Sequence, residues 1–194
     1  ALGGGIGSWC GAWYVCGTIC IWHANAYVPN EKLSGKQDDP HDFSGANTGY
    51  NNVLIYKSHL INWVKKVAAE AKQKGKTLIA FSHYPMVDFN DDASPELKQL
   101  FGANKMQLQR VPNEEVAQQF ADAGIQIHFG GHMHINDTGV RTTAKGNTLF
   151  NIQTPSLAAY MPAYKILTIH SDSELEVETI VVGKVEKFNS LFPF

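Results

Sequence analysis

Charge is scarce in this chain and missing altogether from its first thirty residues. Only 18% of the 194 residues are Asp, Glu, Lys or Arg, and none lies between Ala1 and Asn30. Sixteen basic side chains face eighteen acidic ones, for a formal net charge of −2. That balance provides no basic face for a phosphate backbone, so no nucleic-acid partner is expected. Cysteine is also sparse. Cys10, Cys16 and Cys20 are odd in number, and their spacings match no usual zinc knuckle. Buried thiols are the default for such residues, with a metal cluster shared with His23 as the alternative. The compartment stays open. There is no internal repeat and no low-complexity tract. A hydrophobic content of 44% describes a globular chain rather than a disordered one. Residues 1–194 fit one domain with a sizeable core.

The uncharged N-terminal stretch is long enough to cross a bilayer. Gly7 and Gly11 even have the spacing of a helix-packing pair. Against that, it lacks a basic flank to set orientation and the charged leader of a signal peptide. Six glycines before Trp22 also suit an isolated membrane helix poorly. No membrane partner is expected, and Trp13 to Trp22 reads as a central sheet strand, apolar on both faces.

Pro29 to Asn52 is polar and rich in Gly, Asn and Asp, the composition of a long loop over a functional face. His41 and the Asp38-Asp39 pair could reach substrate or metal there, or be ordinary solvated residues. Tyr56 to Lys74 has helical periodicity, with Leu60, Val64, Val67 and Ala71 on one stripe and lysines on the solvated side. Gly75 is its stop, and the apolar run Leu78 to Phe81 follows as a buried strand. Ser94-Pro95-Glu96 opens a short helix through Leu100. A further helix spans Pro112 to Ala123, with Val116, Phe120 and Ala123 inward. Gly124 to Phe129 then repeats the order helix, Gly, strand. Strands are expected over Thr148 to Gln153, Tyr164 to His170 and Leu175 to Val182, the last two joined by a turn at Ser171-Asp172-Ser173.

Two of these strands run straight into histidine. One ends in Phe81-Ser82-His83-Tyr84-Pro85, the other in Phe129-Gly130-Gly131-His132-Met133-His134. Open α/β sheets bind ligands beyond the C-terminal ends of their strands. Paired glycines let the backbone turn tightly and come close to an ion. Neutral imidazole is the commonest protein nitrogen ligand for zinc, iron and manganese. His83, His132 and His134 are therefore candidate metal ligands. If the segment is extended, His132 and His134 point to one side; in a turn, the same spacing divides them between adjacent ions. Asn136, two residues on, is a candidate phosphate contact or a turn former. Asp88, Asp91 and Asp92 could add carboxylates.

These elements, SHYP and GGHMH in that order and each behind a strand, resemble the C-terminal half of a calcineurin-like metallophosphoesterase. The likeness is strongest from about Thr77 to Ala159. It implies an α/β fold, part of a two-sheet sandwich flanked by helices. It also implies a centre of two divalent ions (manganese, iron or zinc) that activates water against phosphorus. Within it, His83 and His132 would bind one ion and His134 the other. The family's remaining ligands come from DxH, GDxx and GNH-(D/E) elements. Asp39-Pro40-His41 is the sole Asp-x-His here and follows no buried strand; Gly-Asp and Gly-Asn-His do not occur.

The expectation is thus the C-terminal portion of a phosphatase or phosphodiesterase domain acting on a small phosphoester. Metal loading in this chain alone should be partial or absent, with the missing ligands supplied by a longer parent. Two alternatives stand beside it: a non-catalytic remnant serving as a binding module, and a mononuclear zinc hydrolase of another ester or amide. An open sheet edge near Ala1 would favour self-association.

Overall fold

The computed structural model describes residues 49–56, 58–102, 105–171, 174–187 and 190, together with the backbone of four N-terminal strands. The side chains of Tyr56, Met106 and Ser171 are not among those described. The four strands are β1 (Gly11–Val15), β2 (Thr18–Trp22), β3 (Val28–Pro29) and β4 (Phe43–Ser44). After them come α1 (Val53–Tyr56), α2 (Ser58–Gln73) and β5 (Thr77–Phe81). Helix α3 (Ser94–Phe101), a 3-10 helix (Lys105–Arg110) and α4 (Glu114–Asp122) lead to β6 (Ile127–Gly130). Strands β7 (Thr138–Thr142), β8 (Thr148–Gln153), β9 (Ala163–Ser171) and β10 (Glu174–Val181) complete the order.

The fold is mixed α/β. Six strands form one sheet in the order β1-β2-β5-β6-β8-β7. Its four inner strands run parallel, and β1 and β7 close the ends antiparallel. Alternation along the strands divides the sheet into two faces. Leu78, Ala80 and Leu149 pack with Leu60, Val64 and Val67 of α2 and Val116 and Phe120 of α4. Ile79, Phe129 and Ile152 point the other way and meet Leu167, Leu175 and Val177 of the β9–β10 hairpin. The glutamates at 174, 176 and 178 alternate with those apolar residues on β10, so one face of the hairpin is wet. Contact between the layers is incomplete: a groove of about 380 Å³ lies between them, lined by Ile127, Phe150, Ile152, Leu175 and Val177 with Lys165 at its rim.

Several elements differ from the sequence expectation. Trp13 to Trp22 is not one strand but parts of two, paired antiparallel with Val15 opposite Thr18; ten residues exceed the usual strand of roughly five or six. The stretch Pro29 to Asn52 is not wholly loop, since β3 and β4 pair and Tyr50 is fully buried. The helical region begins at Val53 rather than Tyr56. Strand β7 and the 3-10 helix had no clear sequence signal. The one buried residue of β7 is Gly139, so no apolar alternation marks it. Cys10, Cys16, His23, Asp38, Asp39 and His41, and the turn at Asp172-Ser173, lie outside the described residues.

Helices α2 and α4 end by the same device. Gly75 N–H donates to Lys72 and Lys76 N–H to Ala71, with Gly75 at φ 62°. Gly124 N–H donates to Ala121 and Ile125 N–H to Phe120, with Gly124 at φ 103°. Both are glycine-terminated caps that satisfy the last carbonyls. Their surroundings differ: a Cβ on Gly75 meets nothing within 4 Å, whereas one on Gly124 would lie 2.6 Å from the Ala68 Cβ of α2. Gly75→Ala should therefore cost about 1–2 kcal/mol from backbone strain alone. Gly124→Ala should cost clearly more, because α4 must also shift away from α2. Urea denaturation of the two variants checks this, and equal losses would contradict the close packing at Ala68.

Candidate metal centre

The strands β5 and β6 are neighbours in parallel register, with Phe81 opposite Phe129. Pairing continues past their ends: Ser82 N–H donates to the Phe129 carbonyl and Gly131 N–H to the His83 carbonyl, each at 3.0 Å. The two histidine turns therefore leave the sheet already fastened together. His83 Nε2 lies 2.6 Å from His132 Nδ1, and the rings meet edge to face with centroids 4.6 Å apart.

Hydrogen-bond chemistry fixes the direction of that contact when both rings are neutral. His132 Nε2 is 2.6 Å from Gln107 Oε1, and Arg110 Nη1 donates to the same oxygen at 2.6 Å. A carboxamide oxygen only accepts. The proton of His132 therefore sits on Nε2, and its Nδ1 lone pair faces the Nε2–H of His83. Burial pulls the His132 pKa down to about 4, with the nearby positive charges of His83, Arg110 and His134 adding to the effect. Tyr84 packs against both rings, at 4.9 Å from His83 and 4.5 Å from His132. Behind Tyr84 stand Tyr50 and then Phe120. Edge contacts thus connect the helix core to the histidines. Tyr84 entered the sequence reading only as a letter of the SHYP element, with no role of its own, and Gln107 not at all, because a polar 3-10 helix carries no pattern.

The segment after β6 is a turn, not an extension of the strand. His132 and His134 have φ of 55° and 56°, a left-handed conformation uncommon for histidine. Met133 N–H folds back onto the Gly131 carbonyl across His132. Such a three-residue turn with positive φ is the rarer, more strained form. Of the two arrangements open to the i, i+2 spacing, this is the one that divides the rings. His134 is exposed and close enough to act on His132 through its charge, but among the described residues it makes no hydrogen bond or ring contact with the His83–His132 pair. Asn136 is engaged elsewhere: its Oδ1 accepts from Lys165 Nζ at 2.7 Å and Thr179 Oγ1 at 3.2 Å, both on the hairpin. Among the aspartates, Asp88 accepts from Asn90 N, Ser94 N and Ser94 Oγ at the start of α3, and Asp92 pairs with Arg141. Among the described residues, no group of three or more His, Cys, Asp or Glu is close enough to hold one ion.

A zinc held by two imidazoles at about 2.0–2.1 Å separates their nitrogens by about 3.3 Å. His83 and His132, 2.6 Å apart in the hydrogen-bonded pair, would open by less than 1 Å to admit it, with the His83 proton passing from Nε2 to Nδ1 so that Nε2 can ligate. Their donor chemistry fits an imidazole-preferring metal, and Gln107 supplies the outer hydrogen bond that ligating histidines usually make. They provide two ligands, with His134 nearby.

A polar chain lies beneath this pair, on the helix side of the sheet. Ser82 Oγ is 2.7 Å from His128 Nε2, and His128 Nδ1 is 2.7 Å from Asn151 Oδ1. Asn151 Oδ1 also accepts from Met86 N at 2.8 Å. His128 and Asn151 are wholly buried. Sequence reading passed over them, since each lies in a strand otherwise read as apolar. No protein-family model matches the chain, and no curated protein matches it.

Desolvation holds the His128 pKa down at about 4, against the hydrogen bond it donates to Asn151, which acts to raise it. The unfolded chain takes up a proton near pH 6.5 while the folded chain refuses it until about 4. The unfolded state therefore binds more protons in that window, and stability falls as the pH drops through it. Urea unfolding should show a loss on the order of 2 kcal/mol from pH 7 to pH 5, smaller in His128→Gln. A wild-type stability that stays flat over that range would contradict a neutral buried His128.

Proposed function

We propose that the protein is a metal-dependent phosphoester hydrolase of the calcineurin-like type, a phosphatase or phosphodiesterase acting on a small phosphoester. The observation that carries this reading is the His83–His132 pair, brought to 2.6 Å at the C-terminal ends of adjacent parallel strands. It follows the two sequence elements that resemble the family. The six-stranded sheet with helices on one face and a second sheet on the other supports a metallophosphoesterase-type sandwich.

In this reading His83 and His132 hold one divalent ion, and His134, split off by its turn, faces a second. Bound divalent ions supply Lewis-acid polarisation of the phosphoryl group and a more acidic water. The chain's own residues prepare for them. Gln107 accepts from His132 Nε2–H, which leaves the Nδ1 lone pair free of its proton and aimed at the shared position. Arg110 steadies Gln107 from the other side. Tyr84 backs both rings and excludes water from their rear. Asn136, on the same turn as His134, is assigned to phosphate contact, which requires it to exchange its hairpin partners for substrate. Two ions need more donors than three imidazoles offer, so this chain alone should load weakly.

Because His83 and His132 are the candidate ligands that are hydrogen-bonded to each other among the described residues, a single zinc acting on another ester or amide is the second reading. Elemental mass spectrometry after equilibration with zinc or manganese should find fewer than two ions per chain, and none in His132→Ala. Phosphomonoester and phosphodiester turnover, where present, should disappear in the same variant. Carboxylic-ester hydrolysis with no phosphoester activity would favour the single-zinc reading. Metal content unchanged by His132→Ala would remove the pair from the site.

A further inference from the structure

We propose that Ser82, His128 and Asn151 are positioning residues that hold His83 against His132 by clamping both ends of the turn that carries it. The proposal rests on the metal-ligand reading of that histidine pair.

The direction of every proton in this chain follows from its ends. Met86 N–H can only donate, so the Asn151 atom facing it at 2.8 Å is the amide oxygen. That oxygen accepts, so His128 Nδ1 carries the proton in their 2.7 Å contact. His128 Nε2 then offers a lone pair, and the single Ser82 hydroxyl proton goes to it across 2.7 Å in preference to the Tyr84 carbonyl at 3.3 Å. The chain runs from Ser82 to Met86 through two side chains on two other strands. His83 lies between those ends. The register explains how three strands cooperate: Ala80 is opposite His128, and His128 is opposite Asn151, so Ser82, His128 and Asn151 share one face of the sheet.

A core concerned only with stability would place apolar side chains here. Polar groups buried without partners cost about 1–3 kcal/mol each. Yet the same face carries Asn151 Nδ2 and both amide atoms of Gln153 buried with no partner among the described residues. This polar patch sits directly under the His83 turn, at the end of the sheet where the candidate ligands emerge. The cost falls where angular control of His83 matters most. Outer-shell hydrogen bonds to metal sites typically change metal affinity by about 10–100-fold when removed.

The test uses the whole chain, labelled with ¹⁵N, as wild type, Ser82→Ala, Ser82→Thr and Ser82→Cys. Imidazole ¹H–¹⁵N spectra without metal read the state of each ring, and zinc affinity is read by competition with a chromophoric chelator. Ser82→Ala should shift or broaden the His83 and His132 signals and weaken zinc binding about 10–100-fold. Ser82→Thr, which keeps the hydroxyl, should restore both, and Ser82→Cys, a weaker donor of similar size, should fall between. If the alanine variant does not fold, the cysteine variant alone decides by its ring signals. Unchanged His83 and His132 signals in a variant that merely melts earlier would overturn the proposal. A wild type that binds no zinc would instead count against the metal reading, while the metal-free spectra still decide whether the clamp exists.

Discussion

The parallel register of β5, β6 and β8 is the constraint on which the rest depends. Once Phe81 lies opposite Phe129, and Phe129 opposite Ile152, the chain must leave three neighbouring strands at one level. Everything chemically notable is at that level. The His83 and His132 turns emerge there, Thr154 N–H ties β8 to the Gly130 carbonyl, and Gln153 N–H ties it to Asp137. A slip of one residue would turn His128 and Asn151 towards the hairpin and Ile127 and Ile152 towards the helices. Two apolar cores of different composition, one on each face, hold the register in place.

The site is a balance between desolvation and polarity. His128 is kept neutral by burial, and His132, only partly covered, is pushed the same way. Neutral rings can each give one proton and accept another, and both do so here in a defined direction. Ser82, His128 and Asn151 form one directed chain; His83, His132 and Gln107 form a second above it. Ser82 and His83 are adjacent in sequence, so the chains meet at the end of β5.

The strands that carry the histidines were legible because each is a short apolar run behind a helix and a glycine. The long helix was legible from its stripe of Leu60, Val64, Val67 and Ala71, all buried. Proximity of His83 to His132 could be anticipated from two parallel strands with histidines past their ends. Other features could not. The division of His132 from His134 depends on backbone angles that the spacing leaves open. Gln107 reaches the site from a 3-10 helix with no periodic signal. His128 and Asn151 are single polar residues inside apolar strands, and only three-dimensional pairing shows that they face each other. Strand β7 pairs through its backbone with a glycine as its buried residue.

The hairpin has one further consequence. It contributes few side chains to the second core, and a groove separates it from much of the sheet. Small contact area means that β9 and β10 can open at a fraction of the global unfolding free energy. Lys165 and Thr179 on that hairpin hold Asn136, two residues beyond His134. Excursions of the hairpin would therefore be transmitted to the His134 turn while the clamped His83 turn stays still. One side of the site is built for fixity and the other for breathing, and amide hydrogen exchange would divide the molecule along that line.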